Sequence, residues 1–143
     1  MRIREILQQK GNQVFTVKPE STVRDLVAFL NEHNIGALVV SSDGAAVEGI
    51  VSERDVVRHL ASGAGALDLQ VRDIMTSDVH DCSPSDHVDS LMHLMTDERI
   101  RHVPVIADGR LAGIISIGDV VKSRIGELEF ERDQLSKYVA NAQ

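Results

Sequence analysis

Two short segments carry the residues best suited to chemistry. Ser52-Glu53-Arg54-Asp55 and Ser116-Ile117-Gly118-Asp119 share a Ser-x-x-Asp pattern, each between a β-rich apolar run and a helix-like one. At such a junction the free N–H groups and positive dipole end of a helix favour an anion. A carboxylate one turn in can accept hydrogen bonds from two vicinal hydroxyls, which is how an acidic residue reads a ribose diol in dinucleotide folds. Asp55 and Asp119 are placed for the diol, and Ser52 and Ser116 for ribose or phosphate. The same pattern is also a plain capping box that needs no ligand. Spacing alone leaves both readings open.

A heterocyclic base needs an apolar slot with backbone edges. The segments opening the strands offer these: Thr16-Val17 and Ile35-Gly36-Ala37 early in the chain, His80-Asp81-Cys82 and Arg101-His102-Val103 later. Gly36 either lets a base approach or merely allows a turn. Phosphates need cations, and Arg99, Arg101 and His102 form the densest cationic spot near a strand opening, with Arg54 a further candidate. Local clustering matters because the chain is acidic, with 15 Lys+Arg against 22 Asp+Glu and a net charge of −7. That balance argues against nucleic acid as a partner.

Enzyme chemistry finds little support. Cys82 is the one cysteine, which excludes an internal disulfide, and no activating group lies beside it in sequence. His80, His87 and His93 lack the i, i+4 spacing of a metal pair, and no metal site is expected. No glycine-rich phosphate loop of the Walker or Rossmann type is present. No apolar run approaches the roughly 20 residues of a membrane span, and the N-terminus does not read as a signal peptide. A cytoplasmic location without membrane contact is the expectation.

The elements that must position these residues are duplicated. Displacing the chain by 65 residues sets Pro19 on Pro84, Val23 on Val88, Leu26 on Leu91, Val40 on Val105 and Asp43-Gly44 on Asp108-Gly109. Beyond that turn the displacement drops to 64, with Gly49-Ile50 on Gly113-Ile114 and Asp55 on Asp119, so the first copy carries one extra residue after the turn. Ile3 to Leu7 match Val71 to Met75 at a displacement of 68, with extra residues around Gln9 to Asn12. Each copy predicts strand–helix–strand–strand–helix. The helices follow from apolar spacing at Val23, Leu26, Val27, Leu30 and at Val88, Leu91, Met92, Met95, with capping pairs Thr22/Asp25 and Asp86/Asp89. A unit of about 60 residues buries only a marginal core. Two units packed about a pseudo-two-fold axis solve that, giving an α/β fold.

The duplication, the element order and the segments Gly49-Ile50-Val51-Ser52-Glu53-Arg54-Asp55, Gly113-Ile114-Ile115-Ser116-Ile117-Gly118-Asp119 and Arg99 to Val105 resemble a tandem CBS-domain pair of the stand-alone type, the family named for cystathionine β-synthase. The resemblance covers Ile3 to about Arg124. It implies two β-α-β-β-α repeats (1–62 and 71–124, joined by a linker at 63–70) in one disc-shaped module. It also implies a regulatory sensor without catalysis or cofactor, binding AMP, ADP, ATP or NAD (S-adenosylmethionine in some members) in clefts between the repeats. Arg101 and His102 would then point into the central cleft, with Val103 and Pro104 beside them. The alternative is a ligand-independent structural or interaction module.

A homodimer is expected, stacked through faces carrying Val56, Val57, Leu60, Val120, Val121 and Ile125, with an unidentified regulated protein as a further partner. Residues 125–143 lie outside the repeat, where Leu128, Leu135, Tyr138 and Val139 recur near helical spacing, with Arg132 four residues after Leu128. This predicts a helical extension that packs on its own disc or on a partner chain.

Overall fold

The computed structural model describes residues 1–11 and 13–142; Asn12 and Gln143 lie outside the described residues. The chain runs α1 (Ile3–Lys10), β1 (Thr16–Val17), α2 (Val23–His33), β2 (Ala37–Val40), β3 (Gly49–Ser52), α3 (Glu53–Leu60), a 3-10 turn (Ala64–Asp68), α4 (Val71–Ile74), α5 (Val88–Glu98), β4 (His102–Ala107), β5 (Arg110–Ser116) and α6 (Ile117–Asn141). In the first copy β1 pairs parallel with β2 and β2 antiparallel with β3. In the second, β4 and β5 form an antiparallel hairpin and Cys82 adds one parallel bridge to Val105.

The Asp-Gly turns explain why the two hairpins differ. Asp108 and Gly109 both take positive φ (54° and 75°). That is the two-residue turn whose twist suits antiparallel strands, and β4 and β5 pair right up to it, Ala107 with Arg110. In the first copy's Asp43-Gly44 pair only Gly44 has positive φ. The extra residue opens the turn into a loop, where the Asp43 carboxylate accepts hydrogen bonds from the Ala45 and Ala46 amides (2.8 and 2.9 Å). β2 and β3 are correspondingly shorter.

Each repeat is completed by a helix from the other. Ile3, Ile6 and Leu7 of α1 are buried with Val88, Leu91, Met95, Val103, Val105, Ile115 and Val120 of the second copy. Val71 and Ile74 of α4 are buried with Val23, Leu26, Leu30, Leu38, Val40 and Val51 of the first. The exchange fixes the starts of the central helices. Val23 donates its N–H to Leu69 O (2.9 Å) and Val88 donates to Met1 O (3.0 Å). Thr22 caps α2 by accepting from the Asp25 amide (3.1 Å), as its spacing predicts. The Asp86/Asp89 pair does not form a cap: α5 begins after His87, and the Asp86 carboxylate turns back to accept from the Ser83 amide (2.8 Å).

Glycines let these exchanged helices sit against the sheets. A Cβ on Gly49 would lie 2.7 Å from Met75 Sδ and 2.9 Å from the Thr76 carbonyl, and one on Gly113 would lie 2.6 Å from Leu7 Cδ2. The expected dimer face is corrected at two positions. Val56 and Val120 are buried in the cores, whereas Val57, Leu60, Val121 and Ile125 are exposed.

Candidate functional site

A cleft of about 310 Å³ opens between the two copies. One wall is the first copy's strand opening, with Phe15, Asn34, Ile35, Gly36, Ala37 and Leu38. The other is the second copy's hairpin, with His102, Ile114 and Ser116, and the end of α1 with Lys10 closes one side, near Gln13. Ser116 of the second copy's Ser-x-x-Asp therefore faces the strand opening of the first across the cleft, as well as His102, its partner across its own hairpin.

Both Ser-x-x-Asp segments are complete capping boxes. Ser52 Oγ accepts from the Asp55 amide (3.4 Å) and Ser116 Oγ from the Asp119 amide (3.2 Å). Asp55 Oδ2 accepts from the Ser52 amide (2.9 Å) and hydroxyl (3.1 Å), and Asp119 Oδ2 from the Ser116 amide (2.9 Å). One carboxylate oxygen thus starts the helix. Among the described residues Oδ1 accepts no hydrogen bond in either box, so capping and ligand binding are compatible at one residue.

The two carboxylates differ in what else they meet. Lys10 Nζ donates to Asp119 Oδ2 (2.7 Å) and to the Ile114 carbonyl (2.7 Å). Partial burial works against ionisation of Asp119, but the hydrogen bonds from Lys10 and Ser116 and the Lys10 charge outweigh it and hold the carboxyl below the usual range. His102 lies half-buried across the cleft, its ring 3.5 Å from where a Gly36 Cβ would stand. Burial holds its imidazole below the ordinary value, and the Lys10 and Arg101 charges act the same way against Glu53 and Asp119. Without a ligand, His102 is therefore a neutral hydrogen-bonding group at neutral pH.

Among the other expected contacts, Gly36 and Ala37 line the cleft. Gly36 is not the turn residue; Asn34 (φ 52°), its counterpart Arg99 (φ 54°) and no glycine reverse the chain there. Thr16 and Val17 are committed to pairing with Val39 and Val40. Val103 and Pro104 are buried inside the second hairpin. Cys82 uses both its N–H (to Pro104 O, 3.0 Å) and its carbonyl (from the Ile106 amide, 2.8 Å). Burial, then Asp86 and Asp81, push its thiol up to about 12, which makes it inert as a nucleophile. Arg101 lines a shallow groove beside the start of α6 instead of this cleft. Arg54 and Arg99 are exposed, and His80 pairs with Glu98 (3.6 Å).

Lys10 and Phe15 are among the cleft residues that sequence reasoning missed, with Gln13, Leu38 and Ile114. Phe15 packs edge-on to Phe29 (5.4 Å between centroids) and close to His33 (4.5 Å), which fixes an aromatic wall. Its signal was the immediate approach to Thr16-Val17 by one of only three phenylalanines. Lys10 left no such signal, because it reaches the cleft through the exchanged helix. Among the described residues no group of three or more His, Cys, Asp or Glu could hold a metal ion.

With the fold and this cleft in place, the comparisons define the class. The CBS domain profile matches residues 3–62 and 71–126, and the chain belongs to the CBS-domain family as a tandem pair. It is similar to a crystal structure of a CBS-domain containing protein from Agrobacterium tumefaciens, with 46% identity and a TM-score of 0.84 over 87% of this chain and 99% of that one. It is 37% identical to the mitochondrial CBS domain-containing protein CBSX3 of Arabidopsis thaliana, over 96% of this chain and 71% of that protein. The CBS domain pair of protein MJ0100, crystallised with 5′-methylthioadenosine and S-adenosylmethionine, shares the fold (TM-score 0.78, 24% identity, 89% of this chain and 98% of that one).

Proposed function

We propose that this protein is a regulatory module that binds an adenosine nucleotide in the cleft between its two CBS repeats and signals by a change of shape. The observation that carries the reading is the arrangement across that cleft: an aromatic and aliphatic slot at Phe15, Ile35 and Ala37 on one side, and on the other Ser116 and Lys10, both bonded to a helix-capping aspartate, Asp119, whose Oδ1 is unused. The base occupies the slot, and the ribose diol donates to Asp119 Oδ1 beside Ser116. Lys10, released from Asp119, turns to the phosphate. A cleft of about 310 Å³ lies at the small end of ligand sites, which run from roughly 300 Å³ upward. It suits one nucleoside mono- or diphosphate better than a dinucleotide such as NAD. The compounds bound by the pair of MJ0100, which carry adenosine without phosphate, support the adenosine part of the ligand.

The module works as a homodimer acting on a regulated protein. Exposed Val57, Leu60, Val121 and Ile125 supply apolar surface for a second copy. A relative at the level of fold and 30% identity, the CBS-CP12 protein of bloom-forming cyanobacteria, is hexameric. Among the described residues no helix is long and apolar enough to cross a membrane.

Calorimetric titration with AMP, ADP, ATP, NAD and S-adenosylmethionine tests the proposal. Saturable binding of at least one adenosine phosphate, weakened by Asp119→Ala, is expected. Absence of binding across the panel favours a structural module with the same fold.

A further inference from the structure

The last helix carries an apolar seam that its own disc does not cover. In α6 only Val120 and Ser123 are buried against the disc. On another face Val121, Ile125, Leu128, Arg132, Leu135 and Val139 follow one another at spacings of four and three residues. That is the alternating step of coiled-coil a and d positions, with Ile125, Arg132 and Val139 at a and the others at d. The five apolar members are all half-exposed or more, from Leu128 at 49% to Leu135 at 63%. The seam is unpartnered over the whole helix.

The charges beside the seam say what covers it. The flanking e and g positions are Lys122 and Arg124 toward the helix start and Glu129 and Glu131 one heptad later. We infer that α6 pairs antiparallel with α6 of a second copy, with Ile125 set against Leu128 of that copy and Val121 against Arg132. In this register Lys122 faces Glu129 and Arg124 faces Glu131 across the seam, on both sides of the two-fold axis. Charged pairs at these flanking positions set partner and orientation in coiled coils. Sliding one heptad either way opposes Glu129 and Glu131 each to its own copy, or Lys122 and Arg124 each to its own copy. A parallel pair stacks Arg132 on Arg132 and leaves Lys122 and Glu131 without opposite charges.

The groove at the helix start fits the same register. It has a volume of about 590 Å³ and is lined by Arg101, Ile117, Gly118, Val121, Lys122 and Ile125. Continuing the antiparallel match places Leu135 of the second copy opposite Gly118, where a Cβ would make only an ordinary 3.6 Å contact with Ser116 Oγ. Arg101 and Lys122 give the groove a positive rim for the acidic middle of the incoming helix.

The inference rests on the two-copy reading above and is independent of nucleotide, so the test separates them. Sedimentation equilibrium of the full chain is expected to give twice the 15.7 kDa monomer. Glu129→Lys with Glu131→Lys, or Lys122→Glu with Arg124→Glu, replaces four attractions by repulsions and should weaken the dimer on the order of 10- to 100-fold. All four changes together should restore it. Val121→Cys chains mixed with Arg132→Cys chains should give the mixed disulfide, with little cross-linking of either alone. A monomeric wild type overturns both the inference and the two-copy reading. Charge reversals without effect, a fourfold variant no tighter than its parents, or ready cross-linking of Val121→Cys with itself overturns the antiparallel seam. If Val57→Asp with Leu60→Asp abolishes a dimer that the α6 reversals leave intact, the seam falls and the two-copy reading stands on the disc face.

Discussion

Asp119 and Asp55 start equivalent helices with equivalent capping boxes, but Asp119 lies 2.7 Å from Lys10 Nζ and Asp55 has no such neighbour among the described residues. Where the cleft draws on Phe15, Asn34 and Gly36, the repeat sets His80, Arg99 and Arg101 at the matching positions, and Lys10 falls among the extra residues of the first copy and has no counterpart. One side offers an aromatic wall, small residues and a single lysine; the other offers charged side chains that project into solvent. The residues common to both copies, Gly49 with Gly113 and Ser52/Asp55 with Ser116/Asp119, hold exchanged helices and helix starts in place. Duplication keeps what builds the frame. The copies diverge at the positions whose side chains reach the space between them.

That difference can be broken most sharply at the two carboxylates. Asp119→Ala removes up to two charge-assisted hydrogen bonds to a ribose, each worth roughly 1.5–3 kcal/mol, and should weaken AMP on the order of 10-fold to more than 100-fold. Asp55→Ala should leave the binding in the first cleft unchanged. Each variant also loses a helix cap, at a cost of about 1 kcal/mol in stability. Equal losses of AMP affinity by calorimetry would erase the distinction between the two carboxylates.

The shared glycines differ in how hard they are to replace. A Cβ on Gly49 meets the Thr76 carbonyl as well as Met75, whereas one on Gly113 meets only the movable tip of Leu7. Gly49→Ala should cost about 1–3 kcal/mol by overpacking and Gly113→Ala distinctly less. Urea midpoints in the reverse order would contradict the packing account.

Lys10→Met sharpens the comparison from the ligand's side. Loss of the lysine should weaken AMP by about 1.5 kcal/mol, the low end for hydrogen bonds to charged groups, while adenosine binding holds or improves as Asp119 is freed. Arg101→Ala, in contrast, should leave the ratio of AMP to adenosine affinity where it was, since Arg101 lies outside the cleft. An altered ratio for Arg101→Ala, with none for Lys10→Met, would return the phosphate to the cationic spot at 99–102.

The smallest effect concerns pH. Folding holds the His102 imidazole below its ordinary value, so below about pH 6.5 the unfolded chain binds more protons than the folded one and stability falls. His102→Gln should lose less stability than the wild type between pH 7.5 and 5.5. An equal or steeper loss in the variant, read by urea titration, would remove His102 from the balance.

Much of the frame was legible in the sequence because its signals are local. The Asp-Gly turns, the apolar spacing of α2 and α5 and the Ser-x-x-Asp helix starts each lie within a few residues. The extra residue after Gly44 even located the hairpin that opens into a loop. The exchange of α1 and α4 between cores was not legible, because it is a choice of partner across the molecule. Lys10 and the pairing of Ser116/Asp119 with the other copy's strand opening were lost with it. Arg101 stood next to His102 in sequence, yet alternation along a strand sends neighbouring side chains to opposite faces, and only His102 reaches the cleft.

The central claim, that the first cleft takes an adenosine nucleotide, is tested most directly by crystallising the protein with saturating AMP. The account predicts the base against Phe15 between Ile35 and Ala37, the ribose hydroxyls on Asp119, and Lys10 moved from Asp119 to the phosphate. AMP bound only near Asp55, or a first cleft that stays empty with Lys10 still on Asp119, would contradict it.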